Sequence, residues 1–164
     1  MHTTHPFIIT PIDGQLRKRV QPLVNEAWAG PLIAVNGQLW NTEILPGLAA
    51  LDPDGGILGY LLYAFHDGLC EMMALESLRE NCGVGTRLIE RIKELAKERQ
   101  IQTVAVTTTN DNLHAVRFYQ KRGFMLKALR PNALETSRRL KPSIPLTGLD
   151  GIPLRDEIEL EIYL

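Results

Sequence analysis

Cysteine is almost missing from this chain of 164 residues: only Cys70 and Cys82 occur, and they form no C-x-x-C pair. Two thiols do not make a disulfide framework, so a reducing, cytoplasmic setting is expected. A basic excess is missing too. Eighteen Lys and Arg stand against nineteen Asp and Glu, a formal net charge of −1. General nucleic-acid binders usually carry such an excess, and nucleic acid is therefore not expected as a partner. Long apolar runs are also lacking. The longest, Ile57 to Phe65, falls far short of the ~20 residues of a membrane span, so no membrane association is expected. The first residues, Met1 to Pro6, show no basic region followed by an apolar stretch, and no signal peptide is expected.

What is present is a globular composition. Hydrophobic residues make up 45% and charged residues 23%, which excludes an intrinsically disordered chain. The length suits one domain, residues 1–164, with a core of its own.

Periodicity outlines the elements. Phe7 to Thr10 reads as a strand closed by Pro11. Asp13 is placed to cap a helix carrying Leu16, Val20, Leu23, Val24 and Ala27 on one face, with a break expected at Pro22. Leu32 to Val35, the turn Asn36-Gly37 and Gln38 to Trp40 read as a hairpin. Leu48 to Leu51, Ile57 to Phe65 and Leu69 to Leu75 read as three successive antiparallel strands, with turns at Asp52 to Gly56 and at His66-Asp67-Gly68. The strongest helix carries Val84, Leu88, Ile89, Ile92, Leu95 and Ala96 on one side and ends near Gln100. Thr103 to Thr108 is a β-branched strand, Leu113 to Arg122 a helix stopped by Gly123, and Phe124 to Leu129 a strand. Pro131 to Leu140 is helical in pattern, with Pro131 suited to the first turn. Lys141 to Gly151 is loop. Ile158 to Leu164 alternates as a half-buried closing strand, with Glu157, Glu159 and Glu161 on its other side.

Two segments carry chemistry. Glu80-Asn81-Cys82-Gly83-Val84-Gly85-Thr86 lies between a strand and the strongest helix. Helix N-termini offer unpaired N–H groups and partial positive charge, and glycines let a bulky anion approach the backbone. The same glycines suit a plain tight turn. Gly85 is followed by Thr86-Arg87 and not Lys-Ser/Thr, and Leu88 stands where a dinucleotide fingerprint needs a third glycine, so neither nucleotide loop fits. The second segment follows the next strand. Asn112, Ala115 and Tyr119 share a helical face. Asn112 suits an amide contact or a cap, and Tyr119 a reactive phenol or a core aromatic.

Together the segments resemble the Gcn5-related N-acetyltransferase (GNAT) superfamily. Its first motif reads Q/R-x-x-G-x-G/A at the start of a central helix, matched here by Gly83 and Gly85. Its second reads roughly N-x-x-A-x-x-x-Y-x-x-x-G-F, matched by Asn112, Ala115, Tyr119, Gly123 and Phe124. The likeness covers most of Leu48 to Leu129. One position departs: the Gln or Arg of the first motif falls at Glu80, which is expected to point to solvent.

The resemblance implies an α/β (α+β) fold: a mixed, mostly antiparallel central sheet, splayed at an acyl-CoA site and flanked by helices. It implies an acetyl-CoA-dependent N-acetyltransferase acting directly on a primary amine of a small-molecule or peptide acceptor. No metal is expected, and a homodimer is possible. Asn81, Cys82, Gly83, Val84, Gly85 and Thr86 would meet the pyrophosphate. Leu75 N–H would polarise the thioester carbonyl, stabilising an oxyanion. Asn112 would contact the pantetheine beside the small Ala115, and Tyr119 would protonate the leaving thiolate. Glu71, Glu76 or a water would serve as base. In a regular strand 71 and 75 share a face and 76 takes the other, unless a bulge intervenes. A non-catalytic acyl-CoA-binding module, or a scaffold protein on the same fold, would share these features. Cys82 is expected as a tolerated turn residue, and His66 and His114 as turn and helix-surface residues. Trp28 and Trp40 are expected in the core, and the acceptor should be read by Pro22 to Leu48 and Pro131 to Asp156.

Overall fold

The computed structural model describes residues 6–164, and the reading of Met1 to His5 as free of a signal peptide lies outside them. In chain order the elements are β1 (Ile8–Pro11), α1 (Gly14–Trp28), β2 (Leu32–Val35), β3 (Gln38–Asn41), β4 (Gly47–Leu51), β5 (Ile57–His66), β6 (Leu69–Ser77), α2 (Val84–Glu98), β7 (Thr103–Thr109), α3 (Leu113–Gln120), β8 (Met125–Arg130), α4 (Ala133–Leu140) and β9 (Glu157–Tyr163). Seven strands form one sheet in the order β1-β4-β5-β6-β7-β9-β8, and β2 and β3 form a separate hairpin.

Apolar periodicity explains the layering. Val84, Leu88, Ile89, Ile92 and Ala96 of α2 are buried and share one core with Leu61, Val104, Val106 and Leu160 of the sheet. Leu16, Val20 and Val24 of α1 pack with Tyr60 and Leu62 in a second core. Alternate residues of a strand point to opposite faces, so the two helices cover the two sides of the same strands. The expected mixed, mostly antiparallel sheet with flanking helices is what forms.

Two irregularities create the site. β6 and β7 run parallel but pair only from Cys70–Val104 to Met72–Val106. Beyond that β6 continues to Ser77 and β7 to Thr109, so the sheet opens into a cleft. In β6 the register against β5 slips: Leu62 faces Ala74 and Tyr63 faces Met72, leaving Met73 as an extra residue. This bulge overturns the expectation for a regular strand. Cys70, Met72 and Leu75 lie on the α2 side, while Met73 and Ala74 lie on the α1 side. Glu76, opposite Tyr60, therefore shares its face with Glu71, and Leu75 does not.

Three other expectations are corrected. α1 runs unbroken through Pro22. The proline ring is exposed, and the buried face of Leu16, Val20 and Val24 continues beneath it. Pro131 lies before α4, whose N-cap is Asn132 in a left-handed conformation (φ 58°). β9 is interior, between β7 and β8, so Glu157 and Glu161 are buried and not solvent-facing. Arg130 and Lys127 of β8 pair with them.

Candidate active site

A cavity of about 430 Å³ opens where β6 and β7 part. Glu71, Met72 and Met73 of β6, Thr107 to Thr109 of β7, and Asp111 and Asn112 form its base. Trp28, Ile33 and Val35 wall one side, and Leu134, Ile144, Pro145 and Leu154 roof it. The roof is tied down. Lys141 Nζ donates to the carbonyls of Trp28 and Leu32, the latter at 2.6 Å. Asp111 Oδ2 accepts from Leu149 N at 2.8 Å, and Asn110 Nδ2 donates to Pro153 O at 2.9 Å. Burial holds the Lys141 amine below the usual lysine range. The two segments that match the motifs least, around residues 22–48 and 131–156, thus meet over one cavity. Trp28 contributes to its wall as well as to the core.

Glu71 is 5% exposed. A buried carboxylate needs partners, and it has two. Asn36 Nδ2 donates to Oε1 at 2.8 Å, and His66 Nε2 lies 2.5 Å from Oε2. Asn36 (φ 53°) and Gly37 (φ 72°) make the two-residue turn of the β2–β3 hairpin, where left-handed conformations are required. The turn aims Asn36 at the sheet. Its N–H donates to Glu157 Oε1 at 3.2 Å, and its Oδ1 accepts from Arg130 Nη2. Arg130 Nε donates to Glu157 Oε2 at 3.1 Å and Nη1 to Glu159 Oε2 at 2.5 Å. Glu71 is therefore fixed by a junction of five elements.

His66 is more than a turn residue. Its Nδ1 lies 3.0 Å from Asp67 Oδ2, and its ring packs on Trp40 with centroids 5.3 Å apart. Partial burial disfavours the charged ring, but the hydrogen bonds to Asp67 and Glu71 outweigh it and raise its pKa.

At the turn before α2, Asn81 (φ 56°) and Gly83 (φ 74°) are left-handed. Gly83 is the N-cap, and among the described residues no side chain caps the helix. The first-turn N–H groups of α2 thus face a free end, as an anion site requires. Gly85 has a different reason to be glycine: a Cβ there would lie 2.9 Å from Phe118 Cζ. Glu80 is exposed, as expected. Cys82 is half-buried, its thiol bonded to Glu80 O at 3.3 Å. Thr86 Oγ1 accepts from Arg122 Nε and Nη2 at 3.0 and 2.9 Å, and that guanidinium lies 3.5 Å over the Phe118 ring.

On α3, Asn112 is the N-cap: its Oδ1 accepts from Ala115 N at 3.0 Å. It also lines the cavity. Tyr119 is buried on the α2 side against Phe118 and Phe124 and does not line the cavity. Burial, reinforced by the Glu76 carboxylate and opposed by Arg122, pushes its phenol well above the ordinary tyrosine range. Burial also raises Glu76. Leu75 sits on β6 beyond the last residue paired with β7, away from the cavity lining.

Asn36, His66, Arg130 and Arg122 escape sequence reading. Hairpin arithmetic could have found one: His66 pairs with Leu69, so Glu71 is its diagonal neighbour on the same face. Asn36 and Arg130 carry no local signal, since they meet from 94 residues apart.

Residues 24–124 match the model of the acetyltransferase (GNAT) family. The chain is 41% identical to the uncharacterized protein YxbD of Bacillus subtilis over 141 residues, covering 86% of this chain and 89% of that one. Its fold is similar to that of an IAA acetyltransferase from Bacillus cereus (TM-score 0.72, 19% identity, 97% of this chain and 100% of that one). A GNAT family acetyltransferase from Elizabethkingia anophelis, solved with acetyl-CoA bound, is also similar (TM-score 0.68, 18% identity, 96% of this chain and 98% of that one).

Proposed function

The chain belongs to the acetyltransferase (GNAT) family and is an N-acetyltransferase that uses acetyl-CoA as donor; from that premise we propose that it passes the acetyl group directly to a primary amine held in the cavity between β6 and β7. The observation that carries this is Glu71, a buried carboxylate fixed at the base of the cleft. We assign it the role of base, ahead of Glu76 and water. Glu76 is on the same face but does not line the cavity.

The geometry supports a place for each part of the donor. The uncapped turn from Asn81 to Thr86, including Cys82, Gly83, Val84 and Gly85, would receive the pyrophosphate on backbone N–H groups. The pantetheine would run in the cleft past Asn112 and Ala115, with Leu75 N–H near the thioester oxygen. Tyr119 would return a proton to the thiolate, and its raised pKa keeps the phenol protonated until then.

The cavity also narrows the acceptor. Among the described residues four carboxylates line it, from Glu26, Glu71, Asp111 and Glu157, and the one lining cation, Lys141, already serves two carbonyls. Apolar walls surround them. Such a site suits a small amine that enters as a cation with an apolar body, and the tied roof favours it over a protein chain end. Among the described residues no helix is long and apolar enough to cross a membrane. A cytoplasmic setting is supported by the two free thiols. A homodimer is supported by the edge strand β8, which exposes Met125, Leu126 and Leu129; sedimentation velocity decides it.

The test is acetyl-CoA turnover with a panel of amines, followed by release of the CoA thiol. Arylalkylamines such as 2-phenylethylamine should be acetylated faster than the matching amino acids, whose carboxylate meets the acidic lining. Preference for the amino acids, or CoA release with no acetylated amine, would contradict the proposal.

A further inference from the structure

Amide formation leaves a proton behind. An ammonium and acetyl-CoA become an amide, the CoA thiol and one free proton. The C–N bond forms as the C–S bond breaks. Of the two protons the ammonium nitrogen loses, one balances the thiolate through Tyr119. The other remains on the base. Glu71 is the base here, and its side chain is only 6% exposed.

Apart from the acceptor cavity itself, the described residues offer that proton one hydrogen-bonded route. Glu71 Oε2 is 2.5 Å from His66 Nε2, and His66 Nδ1 is 3.0 Å from Asp67 Oδ2. Side-chain exposure rises along this line from 6% at Glu71 to 27% at His66 and 85% at Asp67. The ring is held by Trp40 and by the β5–β6 hairpin, whose turn is Asp67-Gly68. The other side of Glu71 is closed: Oε1 is bonded to Asn36, an amide that carries no proton away. The remaining charged groups nearby come from β8 and β9. Arg130 is engaged with Glu157 and Glu159, and all three reach Glu71 only through Asn36 and Thr107. Glu26 of α1 lines the same cavity. Among the described residues His66 is the only titratable group bonded to Glu71.

We propose that His66 is a relay and positioning residue that carries the proton released in each turnover from Glu71 to Asp67 and solvent. In the relay the neutral ring points Nδ1–H at Asp67. Glu71 Oε2 gives its proton to Nε2, and the imidazolium gives the Nδ1 proton to Asp67 or to water. The ring regains its first tautomer when water takes the Nε2 proton and supplies one at Nδ1, with no net change in protons and none returned to Glu71. Glu71 is left ionised for the next acceptor. The relay rests on Glu71 acting as the base.

The experiment compares wild type with His66→Gln, Asp67→Asn and Glu71→Gln, using 2-phenylethylamine as acceptor. His66→Gln keeps a hydrogen-bonding side chain but cannot shuttle a proton. Its kcat should fall about tenfold or more, with KM for acetyl-CoA unchanged and with partial rescue by added imidazole. Asp67→Asn, fully at the surface, should lower kcat in dilute buffer and recover in concentrated buffer. Glu71→Gln should lose activity without imidazole rescue. If Glu71→Gln is inactive while His66→Gln stays within about twofold of wild type, or is slowed without rescue, the relay is wrong and the base assignment stands. Full activity in Glu71→Gln removes the base and the relay with it. NMR titration gives a readout independent of any acceptor: the His66 ring pKa should drop in both Glu71→Gln and Asp67→Asn. No drop in either overturns the proposal.

Discussion

Replacing Arg130 with methionine tests the junction that holds Glu71. The guanidinium donates to Glu157 Oε2 at 3.1 Å, Glu159 Oε2 at 2.5 Å and Thr107 Oγ1 at 3.3 Å, and to Asn36 Oδ1. Glu157 is nearly sealed, its side chain 3% exposed, while Arg130 is 33% exposed. Removing one partner of a fully buried pair costs about 3–5 kcal/mol, because the other charge is left uncompensated. Water can partly replace the half-exposed arginine, so roughly 2–3 kcal/mol is expected here. In a chain of this size each kcal/mol moves Tm by about 2–4 °C, giving a fall of about 5–10 °C. Thermal unfolding followed by circular dichroism measures it. The double variant Arg130→Met with Glu157→Gln removes the orphaned charge and should recover about half of the loss. A Tm within ~1 °C of wild type, or strictly additive effects in the double variant, would refute the reasoning.

Three further outcomes follow. Tyr119→Phe should lower kcat with little change in acetyl-CoA affinity, read by steady-state kinetics and calorimetry; unchanged kcat removes Tyr119 from the acid role. Gly85→Ala puts a methyl 2.9 Å from Phe118 Cζ and should cost about 1–3 kcal/mol; an added Phe118→Leu should relieve it, and a neutral Gly85→Ala contradicts the packing account. The His66 pKa is raised on folding, so its stabilisation is fully present below the unfolded value of ~6.5 and is lost as pH rises through the folded one. The Tm gap between wild type and His66→Gln should therefore be widest near pH 6 and shrink toward pH 9. A gap that widens with pH reverses the sign and contradicts the pairing.

Much of the fold is legible in the residues because its signals are local. Leu32 to Val35 and the Asn36-Gly37 turn announce a hairpin, and Thr103 to Thr109 is β-branched at every position but Ala105. The amphipathic stripe from Val84 to Ala96 defines α2. Misreadings arise where context outweighs local preference. Pro22 stays helical because its ring meets solvent while its neighbours stay packed. The bulge at Met73 has no residue signature, yet it decides which carboxylates share a face. The carboxylates of β9 looked solvent-facing because alternation cannot reveal that β8 adds a further strand bearing Arg130 and Lys127. For the site, motif spacing located the turn at Asn81 to Thr86, and Glu71 drew notice by its strand. What surrounds Glu71 was hidden: Asn36 and Arg130 arrive through tertiary contacts across most of the chain.

The central claim is acetyl transfer to an amine at Glu71, with the donor bound independently of that carboxylate. Mass spectrometry of acetylated 2-phenylethylamine, run beside calorimetric titration with acetyl-CoA, measures both halves on wild type and Glu71→Gln. The account predicts product formation slowed by about 10²–10⁴ in Glu71→Gln, with acetyl-CoA bound as tightly as by wild type. Equal rates of product formation in the two proteins would contradict it.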